Sequence, residues 1–405
     1  MRAVATTRPD ARAAVHAPPA AQGAGAPRLL LLSSVPSTLT AFLLPYAAHY
    51  RERGWRVDAA CRGGTLCAPC AAAFDHVYEV PWTRDPLDPV NLTAAPRAVR
   101  RLVHEHGYAI VHAHDPVAGF VTRLALRDLR RRLGVRVVVT AHGFHFFRGN
   151  SAARNLVFRT LERTASRWTD ALVVINREDL AAAQRFGIAS ERVVYMPGIG
   201  VDTARYDPAR VSAAAVGAVR RELALEEGQP LLLMVAEFNP GKRHLDAVEA
   251  LARCGRERVV LACAGLGPRM EAVRAQAERL GLADRVRLLG YRDDVPALLR
   301  ASLALLLPSE REGLPRSVME ALALERPVIA SRIRGVEELV DEGTGILHEV
   351  GDVEALAAAI RRLVDDPAEA AAMGRRGRLA MRPFDLTQVL ALHDVLYERL
   401  LRAPA

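Results

Sequence analysis

The chain alternates short runs of apolar residues with longer stretches in which apolar and polar residues mix. In the first half the apolar runs are RLLLLSSV (28–35), WRVDAAC (55–61), AIVHAH (109–114), VRVVVTAH (135–142), ALVVIN (171–176) and RVVYMP (192–197). The stretch from about Thr38 to Arg53 predicts a helix between the first two runs. Short apolar strands that alternate with helices are typical of a parallel sheet covered on both faces. We therefore predict a doubly wound α/β domain.

The same pattern restarts in the second half, with the runs QPLLLMVAE (229–237), RVVLACAG (258–265), RVRLLG (285–290), LALLLP (303–308) and RPVIAS (326–331). A single core rarely grows beyond about 250–300 residues, so two Rossmann-like doubly wound domains fit the 405 residues better than one large sheet. We predict a first domain at 28–200 and a second at 201–383, divided in the glycine- and proline-containing stretch PGIGVDTARYDP. A last helix at 384–405 is predicted to cross back to the first domain. Because ligands bind beyond the carboxyl ends of such strands, two facing domains predict a cleft there.

One segment of the second domain combines a strand, a loop and a helix with two carboxylates. Leu303 to Leu307 predict a buried strand, and SVMEALALE (317–325), opened by Pro315, predicts a helix. The start of a helix offers unpaired N–H groups and a partial positive charge, which suit a phosphate. Glu312 in the loop and Glu320 in the helix would repel that anion, so both are expected to bind hydroxyl groups attached to it. This combination indicates a nucleotide sugar.

An acidic helix can instead be a solvated face, but Glu320 is followed by the apolar residues 321–323 and leads into another buried strand. A purely solvated Glu320 is the weaker interpretation.

Lys242, in AEFNPGKRH (236–244), is the only lysine; every other one of the 55 basic residues is arginine. A lysine in a loop after a strand, in a chain that otherwise uses arginine, suggests a compact point charge for a phosphate. The alternative is a surface residue without a role. Gly241 and Glu237 belong to the same loop.

Gly265 and Gly267, in CAGLGPRM (263–270), lie at a predicted turn from strand to helix. A dinucleotide fingerprint would need a third glycine where Met270 stands, so the pattern disfavours a nicotinamide cofactor. Two interpretations remain open, a tight turn or a close approach of the backbone to a base or phosphate.

Histidines cluster at two strand ends of the first domain. VHAHDP contains His112, His114 and Asp115, and TAHGFHFF contains His142 and His145. Such side chains can donate hydrogen bonds or carry protons near neutral pH, and with a carboxylate nearby they can bind metal. A histidine buried for structural reasons is the alternative for each.

The chain carries a formal net charge of +9, which suits anionic membranes, phosphorylated substrates or nucleic acid. Nucleic acid is the weakest of these, since aromatic residues make up only 5% of the chain and none are interleaved with a basic stretch. The segment RLALRDLRRRLG (123–134) predicts basic helices that contact anionic lipid, or else a solvated face. Its candidate arginines are Arg127, Arg130, Arg131 and Arg132.

No stretch reaches the roughly 18 apolar residues of a spanning helix, so we expect a cytoplasmic protein that is at most peripheral to a membrane. Residues 1–27 are rich in Ala, Pro and Arg and predict a disordered leader. CRGGTLCAPC contains Cys61, Cys67 and Cys70, but with only His76 nearby it lacks the four ligands of a zinc site. We expect reduced thiols in a loop.

Several of these motifs together resemble the retaining GT-B glycosyltransferases of glycosyltransferase family 4. EGLPRSVME (312–320) is similar to their E-x7-E motif, and the resemblance runs from about Arg28 to the C-terminus. The segments TAHGFHFFRG, TDALVVINREDL, YMPGIGVDT and AEFNPGKRH resemble the branch that assembles bacterial capsule and exopolysaccharide.

The resemblance implies that Glu320 binds the ribose hydroxyls, Glu312 the transferred sugar and Lys242 the diphosphate. Gly313 and Leu314 would provide backbone amides to the diphosphate.

The resemblance also implies that the loop GYRDDV, with Tyr291 and Val295, lies by the base, and that His142 reaches the donor sugar from the first domain. A metal or other cofactor is not expected.

Two features depart from the family pattern. Many members carry an arginine where this chain has Glu237, so Arg243, Arg311 or Arg316 would have to supply a second cation, or Glu237 would orient Lys242. The glycine-rich loop after the first strand is replaced by SSVPSTLT.

The sequence therefore predicts a retaining hexosyltransferase that uses a nucleoside-diphosphate sugar, with UDP the expected nucleotide, and a lipid-linked or saccharide acceptor. A nucleotide-sugar 2-epimerase of the same fold and a non-enzymatic sugar-nucleotide sensor or scaffold are the alternatives. A requirement for an acceptor distinguishes the transferase from the epimerase, and release of the nucleotide distinguishes the transferase from the sensor.

Overall fold

A computed structural model of the chain describes residues 26–85, 88–146, 151–185 and 188–403. Its first domain is built on a parallel sheet with the strand order β3-β2-β1-β4-β5-β6-β7. The strands are β1 (Arg28–Leu32), β2 (Arg56–Cys61), β3 (His76–Glu79), β4 (Ile110–His114), β5 (Arg136–Ala141), β6 (Ala171–Val174) and β7 (Val193–Tyr195). The helices are α1 (Pro36–Thr38), α2 (Leu44–Glu52), α3 (Ala68–Ala73), α4 (Ala94–His106), α5 (Pro116–Leu126), α6 (Leu129–Leu133), α7 (Ala152–Ala165) and α8 (Arg177–Arg185).

The second domain has a parallel sheet with the order β10-β9-β8-β11-β12-β13. Its strands are β8 (Leu231–Val235), β9 (Val260–Ala264), β10 (Val286–Gly290), β11 (Ala304–Leu307), β12 (Val328–Ser331) and β13 (Gly345–His348). The remaining helices are α9 (Ala213–Glu222), α10 (His244–Arg253), α11 (Met270–Arg279), α12 (Val295–Ala301), α13 (Arg316–Ala323), α14 (Val353–Asp365), α15 (Pro367–Ala380) and α16 (Leu386–Arg402).

The predicted α/β architecture with two parallel sheets is confirmed. The apolar runs form the central strands because both faces of each sheet are covered: in β1, Leu29 and Leu31 pack into one hydrophobic cluster while Leu30 and Leu32 pack into another. The sequence missed β3 and β13, which lie at sheet edges and mix polar with apolar residues. The helix predicted from about Thr38 begins as a π-helical turn at Leu39–Leu43 that continues into α2.

The C-terminal helix α16 lies on the first domain. Its residues Val389, Leu396, Tyr397 and Leu400 share a hydrophobic cluster with the alternate residues of β1. Where the chain returns, the backbone of Val201 bonds to Phe384 and Leu386. The domain limits after 200 and 383 stay predictions, and the leader predicted over 1–27 lies outside the described residues except for Ala26 and Pro27.

The expectation of reduced thiols in a loop is wrong for two of the cysteines. Cys67 and Cys70 form a disulfide, because Cys67 caps the start of α3 and Cys70 lies in its first turn, with 5.2 Å between their Cα atoms. Cys61 is a buried free thiol.

The predicted lipid-facing run of arginines needs a correction as well. Arg130 is 7% exposed and pairs with Asp170, so it cannot reach a membrane surface. Arg127 is exposed and lies 3.4 Å from Asp128. Within the described ranges, no helix is long and apolar enough to cross a bilayer.

Tyr397→Ala should destabilise the first domain although residue 397 follows the second domain in sequence. The ring is fully buried, and its hydroxyl lies 2.5 Å from Nδ1 of His112. Loss of such an aromatic side chain costs about 3–5 kcal/mol. Urea unfolding followed by tryptophan fluorescence measures the loss, because Trp55, Trp82 and Trp168 all lie in the first domain and the ring of Trp55 stacks on Tyr397 with 6.1 Å between ring centres.

Val395→Ala is the matched control on the same helix. Val395 is 68% exposed, so its change should stay within about 0.5 kcal/mol. Equal effects of the two substitutions would contradict the described packing of α16.

Candidate functional site

The loops after β8 and β11 lie side by side at the carboxyl end of the second sheet. The first contains a 3-10 turn at Pro240–Lys242, and the second spans 308–315. Their strands are neighbours, and the backbone N–H of Glu310 donates a 2.8 Å hydrogen bond to the carbonyl of Gly241. The two loops singled out in the sequence therefore form one surface.

Lys242 and Glu312 form an ion pair across these loops. The Nζ atom of Lys242 donates to Oε1 of Glu312 at 2.6 Å, and the side chains are 24% and 11% exposed. Asn239 fixes the backbone of Lys242, because its Oδ1 accepts from the Lys242 N–H at 3.2 Å. Two residues predicted to bind different parts of one ligand are thus in contact, while their separate roles stay predictions.

Glu237 reaches Lys242 only indirectly. Its Oε2 accepts a 3.2 Å hydrogen bond from Nδ2 of Asn239. Arg243, which the sequence offered as a second cation, donates to Glu310 at 2.8 Å. Arg243 is therefore paired with the carboxylate of Glu310 beside the site.

Glu320 lies buried in α13, 5% exposed, with its carboxylate held in place. Nε of Arg316 donates to Oε1 at 2.7 Å, and Tyr206 lies beside this carboxylate. Burial raises the pKa of Glu320, and Arg316 and Tyr206 counteract that rise. Arg316 also donates to the carbonyl of Ala41 in the first domain. Sequence reasoning missed Tyr206, because it belongs to the connector between the domains.

Glycines allow the two domains to meet backbone to backbone. A Cβ atom on Gly313 would lie 2.1 Å from the carbonyl oxygen of His142, and one on Gly143 would lie 3.1 Å from Cα of Gly313. A Cβ atom on Gly335 would lie 1.9 Å from the carbonyl oxygen of Gly313. Leu314, next in the chain, is buried. Gly335 and Gly313 both belong to the second domain, so we call only Gly143 and Gly313, which meet across the boundary, the glycine seam.

A buried ion pair lies beside the glycine seam. Nη1 of Arg334 donates to Oδ1 of Asp179 at 2.9 Å, and the two side chains are 6% and 1% exposed. Oδ2 of Asp179 accepts from the N–H of Phe144 at 3.1 Å and from Nδ2 of Asn176 at 2.8 Å. Nη2 of Arg334 donates to the carbonyl of Phe144 at 3.1 Å. We call Asn176, Asp179 and Arg334 the interdomain latch.

Sequence reasoning missed this latch. Asn176 and Asp179 gave one local signal, because Asn176 is polar and lies just after the apolar strand β6 and Asp179 lies in the first turn of the helix that follows. Arg334 gave none, since it lies 155 residues away from Asp179.

His142 lies where the first domain faces the loop that carries Glu312. It is half-buried, stacks on Phe42 with 5.9 Å between ring centres, and bonds through Nε2 to Nδ1 of His114 at 3.1 Å. Burial, together with His393, lowers the pKa of His142 to about 4. The imidazole is therefore neutral at pH 7 and can donate or accept a hydrogen bond.

The other histidines at these strand ends lie further inside. His112 is fully buried and bonds to Tyr397 and, at 2.7 Å, to Oγ1 of Thr140. Burial lowers the pKa of His112 and of His114 well below the usual value. His145 packs against Phe158 with 5.4 Å between ring centres. Of the histidine candidates, the structure brings His142 to the domain boundary and makes His112 structural.

Asp115 stabilises the segment that stands in place of a glycine-rich loop. Its carboxylate accepts from the N–H of Ser34 at 2.6 Å, from Oγ of Ser33 at 3.1 Å and from the N–H of Ala118 at 2.9 Å. Asp115 has a φ of +77°, unusual for a residue other than glycine. The loop SSVPSTLT is therefore held by a carboxylate.

The remaining candidates in the second domain are divided. Gly265 and Gly267 have positive φ angles, and a Cβ atom on Gly265 would lie 2.0 Å from the carbonyl of Ala236. Both glycines thus have a structural reason, a close approach of two backbone segments. Tyr291 is 73% exposed at the end of β10, and Val295 packs against the hydrophobic core.

Across the described part of the chain, no group of three or more His, Cys, Asp or Glu side chains is arranged to hold a metal ion. That no metal is needed for activity stays a prediction.

Family models match both halves of the chain. Residues 217–380 match the family described as glycosyl transferases group 1, and residues 37–198 match the glycosyl transferase 4-like domain. The chain is 34% identical to EpsD of Bacillus subtilis (strain 168), which is described as a glycosyltransferase, over 91% of this chain and 96% of that protein. It is 30% identical to an Escherichia coli UDP-Gal:alpha-D-GlcNAc-diphosphoundecaprenol alpha-1,3-galactosyltransferase, over 66% of this chain and 69% of that one.

Solved structures share the fold at lower identity. Anabaena Alr3699/HepE in complex with UDP and glucose aligns with a TM-score of 0.78 and 21% identity, over 92% of this chain and 99% of that one. WaaG, a glycosyltransferase involved in lipopolysaccharide biosynthesis, aligns with a TM-score of 0.72 and 19% identity, over 93% of this chain and 100% of that one. The GT-B arrangement expected from the sequence is confirmed.

Arg334→Met should destabilise the protein, because it leaves Asp179 buried without its cation. Breaking one side of a buried pair costs about 3–5 kcal/mol. The shift in the midpoint of urea unfolding, at an unchanged dependence on urea concentration, gives the change in the free energy of unfolding.

Arg332→Met is the matched control two residues away, where the arginine is 49% exposed. It should change stability by no more than about 0.5 kcal/mol. If Arg334→Met behaved like Arg332→Met, the latch would be no more than a surface contact.

Proposed function

The chain belongs to the group 1 glycosyltransferases, and on that premise we propose that it transfers a hexosyl group from a UDP-sugar to a lipid-linked or saccharide acceptor with retention of anomeric configuration. The observation that carries the proposal is the contact between Lys242 and Glu312 at the domain boundary that His142 faces. A cation for a leaving diphosphate and a carboxylate for a sugar are there adjacent. We further propose that the acceptor belongs to surface polysaccharide assembly.

The diphosphate is proposed to bind at Lys242 and the start of α13. Transfer requires stabilisation of the negative charge that develops on the leaving group, which positioned cations and N–H groups provide. Lys242 is partly exposed, so its ammonium can turn from Glu312 toward an anion. Gly241 and the backbone amides of Gly313 and Leu314 border the same loops.

The nucleoside is proposed to bind deeper, with Glu320 on the ribose hydroxyls and Tyr291 and Val295 beside the base. Support comes from the orientation of Glu320 by Arg316, since a carboxylate that is already fixed loses little entropy on binding. Among relatives, the Escherichia coli enzyme is named for UDP-Gal and Anabaena HepE was crystallised with UDP. These names favour UDP as the nucleotide.

The transferred sugar is proposed to lie between Glu312 and His142. A carboxylate stabilises the positive charge that develops on the sugar ring. A neutral imidazole, as the lowered pKa of His142 provides at pH 7, can exchange hydrogen bonds with sugar hydroxyls without repelling that charge. Glu312 and His142 are therefore our proposed catalytic residues.

The acceptor is proposed to be a lipid-linked sugar. The Escherichia coli relative acts, by its name, on a diphosphoundecaprenol-linked sugar. The sequence identity between that enzyme and this chain favours a lipid-linked acceptor. With such an acceptor, we propose that transfer takes place in the cytoplasm at the inner face of the membrane.

The direct test incubates the purified chain with UDP-glucose, UDP-galactose and UDP-N-acetylglucosamine, with and without a bacterial lipid extract. We expect UDP release that depends on the extract, a product heavier by one hexosyl unit, and activity that persists in EDTA because Lys242 takes the place of a cation. Epimerised UDP-sugar without acceptor would indicate the epimerase, and binding without UDP release would indicate a sensor. Activity lost in EDTA and restored by Mg²⁺ would refute the metal-free part.

Substitution of Lys242 tests the diphosphate site. Lys242→Met removes the charge and should raise the barrier to transfer by roughly 2–4 kcal/mol, as loss of a positioned charged donor does. Lys242→Arg keeps the charge but adds bulk and a planar guanidinium, so its turnover should lie between those of the wild type and Lys242→Met. Steady-state turnover with the UDP-sugar should decrease in the order wild type, Lys242→Arg, Lys242→Met.

Melting temperature is the control for Lys242, and little change is expected because the pair lies at a partly open cleft. Wild-type turnover in Lys242→Met would mean that another cation holds the diphosphate.

A further inference from the structure

Helix α7 exposes an apolar stripe over its middle turns, from Leu156 to Leu161. Leu156, Val157 and Leu161 are 68%, 55% and 36% exposed, and Ala165 is the one buried residue of the helix. With about 100° of rotation per residue, positions 156, 157, 160, 161 and 164 share one face. Exposed apolar residues that are contiguous on a helix mark an interaction surface more often than scattered ones do.

Arginines border this stripe on both sides. Arg154 lies at one edge and Arg159 and Arg163 lie at the other, all exposed. The acidic residue of the helix, Glu162, points inward and holds Arg123 through two hydrogen bonds of 2.9 and 3.0 Å. The exposed face therefore carries three apolar side chains around Thr160 and Thr164 and is cationic at both edges, a pattern found in helices that lie in a membrane interface.

The helix is fixed to the loop that carries the proposed catalytic histidine. Phe158 on its inner face packs on His145, three residues after His142. Arg123, which binds Glu162, is 1% exposed. A surface bound by α7 would thus be held at a set distance from the domain boundary.

The charge decides among possible occupants. A second copy of this face would oppose arginines with arginines, and like charges across an interface disfavour association. An anionic bilayer complements the arginines and accepts the apolar stripe. The arginines of α5 and α6 offer a poorer surface, because Arg130 is buried and Arg127 lies beside Asp128.

We propose that α7 docks the enzyme on an anionic lipid bilayer, with Leu156, Val157 and Leu161 in the interface and Arg154, Arg159 and Arg163 at the headgroups. This inference deepens the proposed function, since it brings the cleft to the surface where a lipid-linked acceptor resides. It predicts membrane binding whether or not transfer occurs.

The test is flotation of the full chain with vesicles of phosphatidylcholine, with and without phosphatidylglycerol, at low salt. We expect flotation with the anionic vesicles and little with the neutral ones. The variant Leu156→Ser/Val157→Ser/Leu161→Ser should bind at least about 10-fold more weakly, and Arg154→Gln/Arg159→Gln/Arg163→Gln on the order of 100-fold more weakly. The matched control Arg127→Gln/Arg131→Gln/Arg132→Gln should bind like the wild type.

A gain of binding complements these losses. Thr160→Leu adds apolar surface at the centre of the stripe and should tighten binding to anionic vesicles several-fold, with the melting temperature unchanged as the control for folding. Wild-type flotation of the serine variant, or equal flotation with neutral vesicles, would overturn the proposal. Loss of a concentration-dependent dimer in the serine variant, without any vesicle binding by the wild type, would assign the face to a second copy.

Activity separates this inference from the proposed function. With a water-soluble acceptor the serine variant should transfer at the wild-type rate, because none of its changes touch the cleft, whereas with an acceptor embedded in anionic vesicles it should be slower. Flotation without any transfer would leave α7 as a membrane site and refute the transferase proposal instead.

Discussion

The contact on which the rest of this structure depends is a backbone seam between two domains, made possible by the missing side chains of Gly143 in the first domain and Gly313 in the second. The buried ion pair between Arg334 and Asp179 lies against it. Burial of two charges is costly unless their remaining hydrogen-bonding groups are satisfied. Here the second oxygen of Asp179 binds an amide and a side-chain donor, and Arg334 binds a carbonyl, so the pair can be buried and define one arrangement of the domains.

The seam gives His142 its position, and the interior of the first domain gives it its charge state. His142 bonds to His114, which stacks on His112, and His112 bonds to Tyr397 on the returning helix α16. Burial keeps these rings neutral, so the side chain at the boundary is a neutral hydrogen-bonding group. The return of α16 to the first domain thus contributes to the site as well as to the fold.

The central strands, the helix of the E-x7-E segment and the place of Lys242 in a loop after a strand could be predicted, because each has a local signature in apolar pattern or residue choice. The edge strands β3 and β13 could not, since exposure on one side removes the apolar run. The latch escaped because it pairs side chains 155 positions apart. The Cys67–Cys70 disulfide and the burial of Arg130 depend on geometry that neither motif encodes. The sequence of α7 indicates a helix, but only the packing of Phe158 and Glu162 shows which of its sides is exposed.

The rate of sugar transfer by Gly313→Ala tests the central claim most directly. Gly313 is absent from the residues with positive φ, so alanine fits its backbone, and the added Cβ atom meets only the opposing domain, at the carbonyl of His142. A displacement of about 1 Å at a reacting centre costs on the order of 100-fold in rate. We expect a loss of that order with UDP affinity unchanged in calorimetry, because the backbone amide of residue 313 remains. A wild-type rate of transfer would contradict the claim that the reaction takes place across this seam.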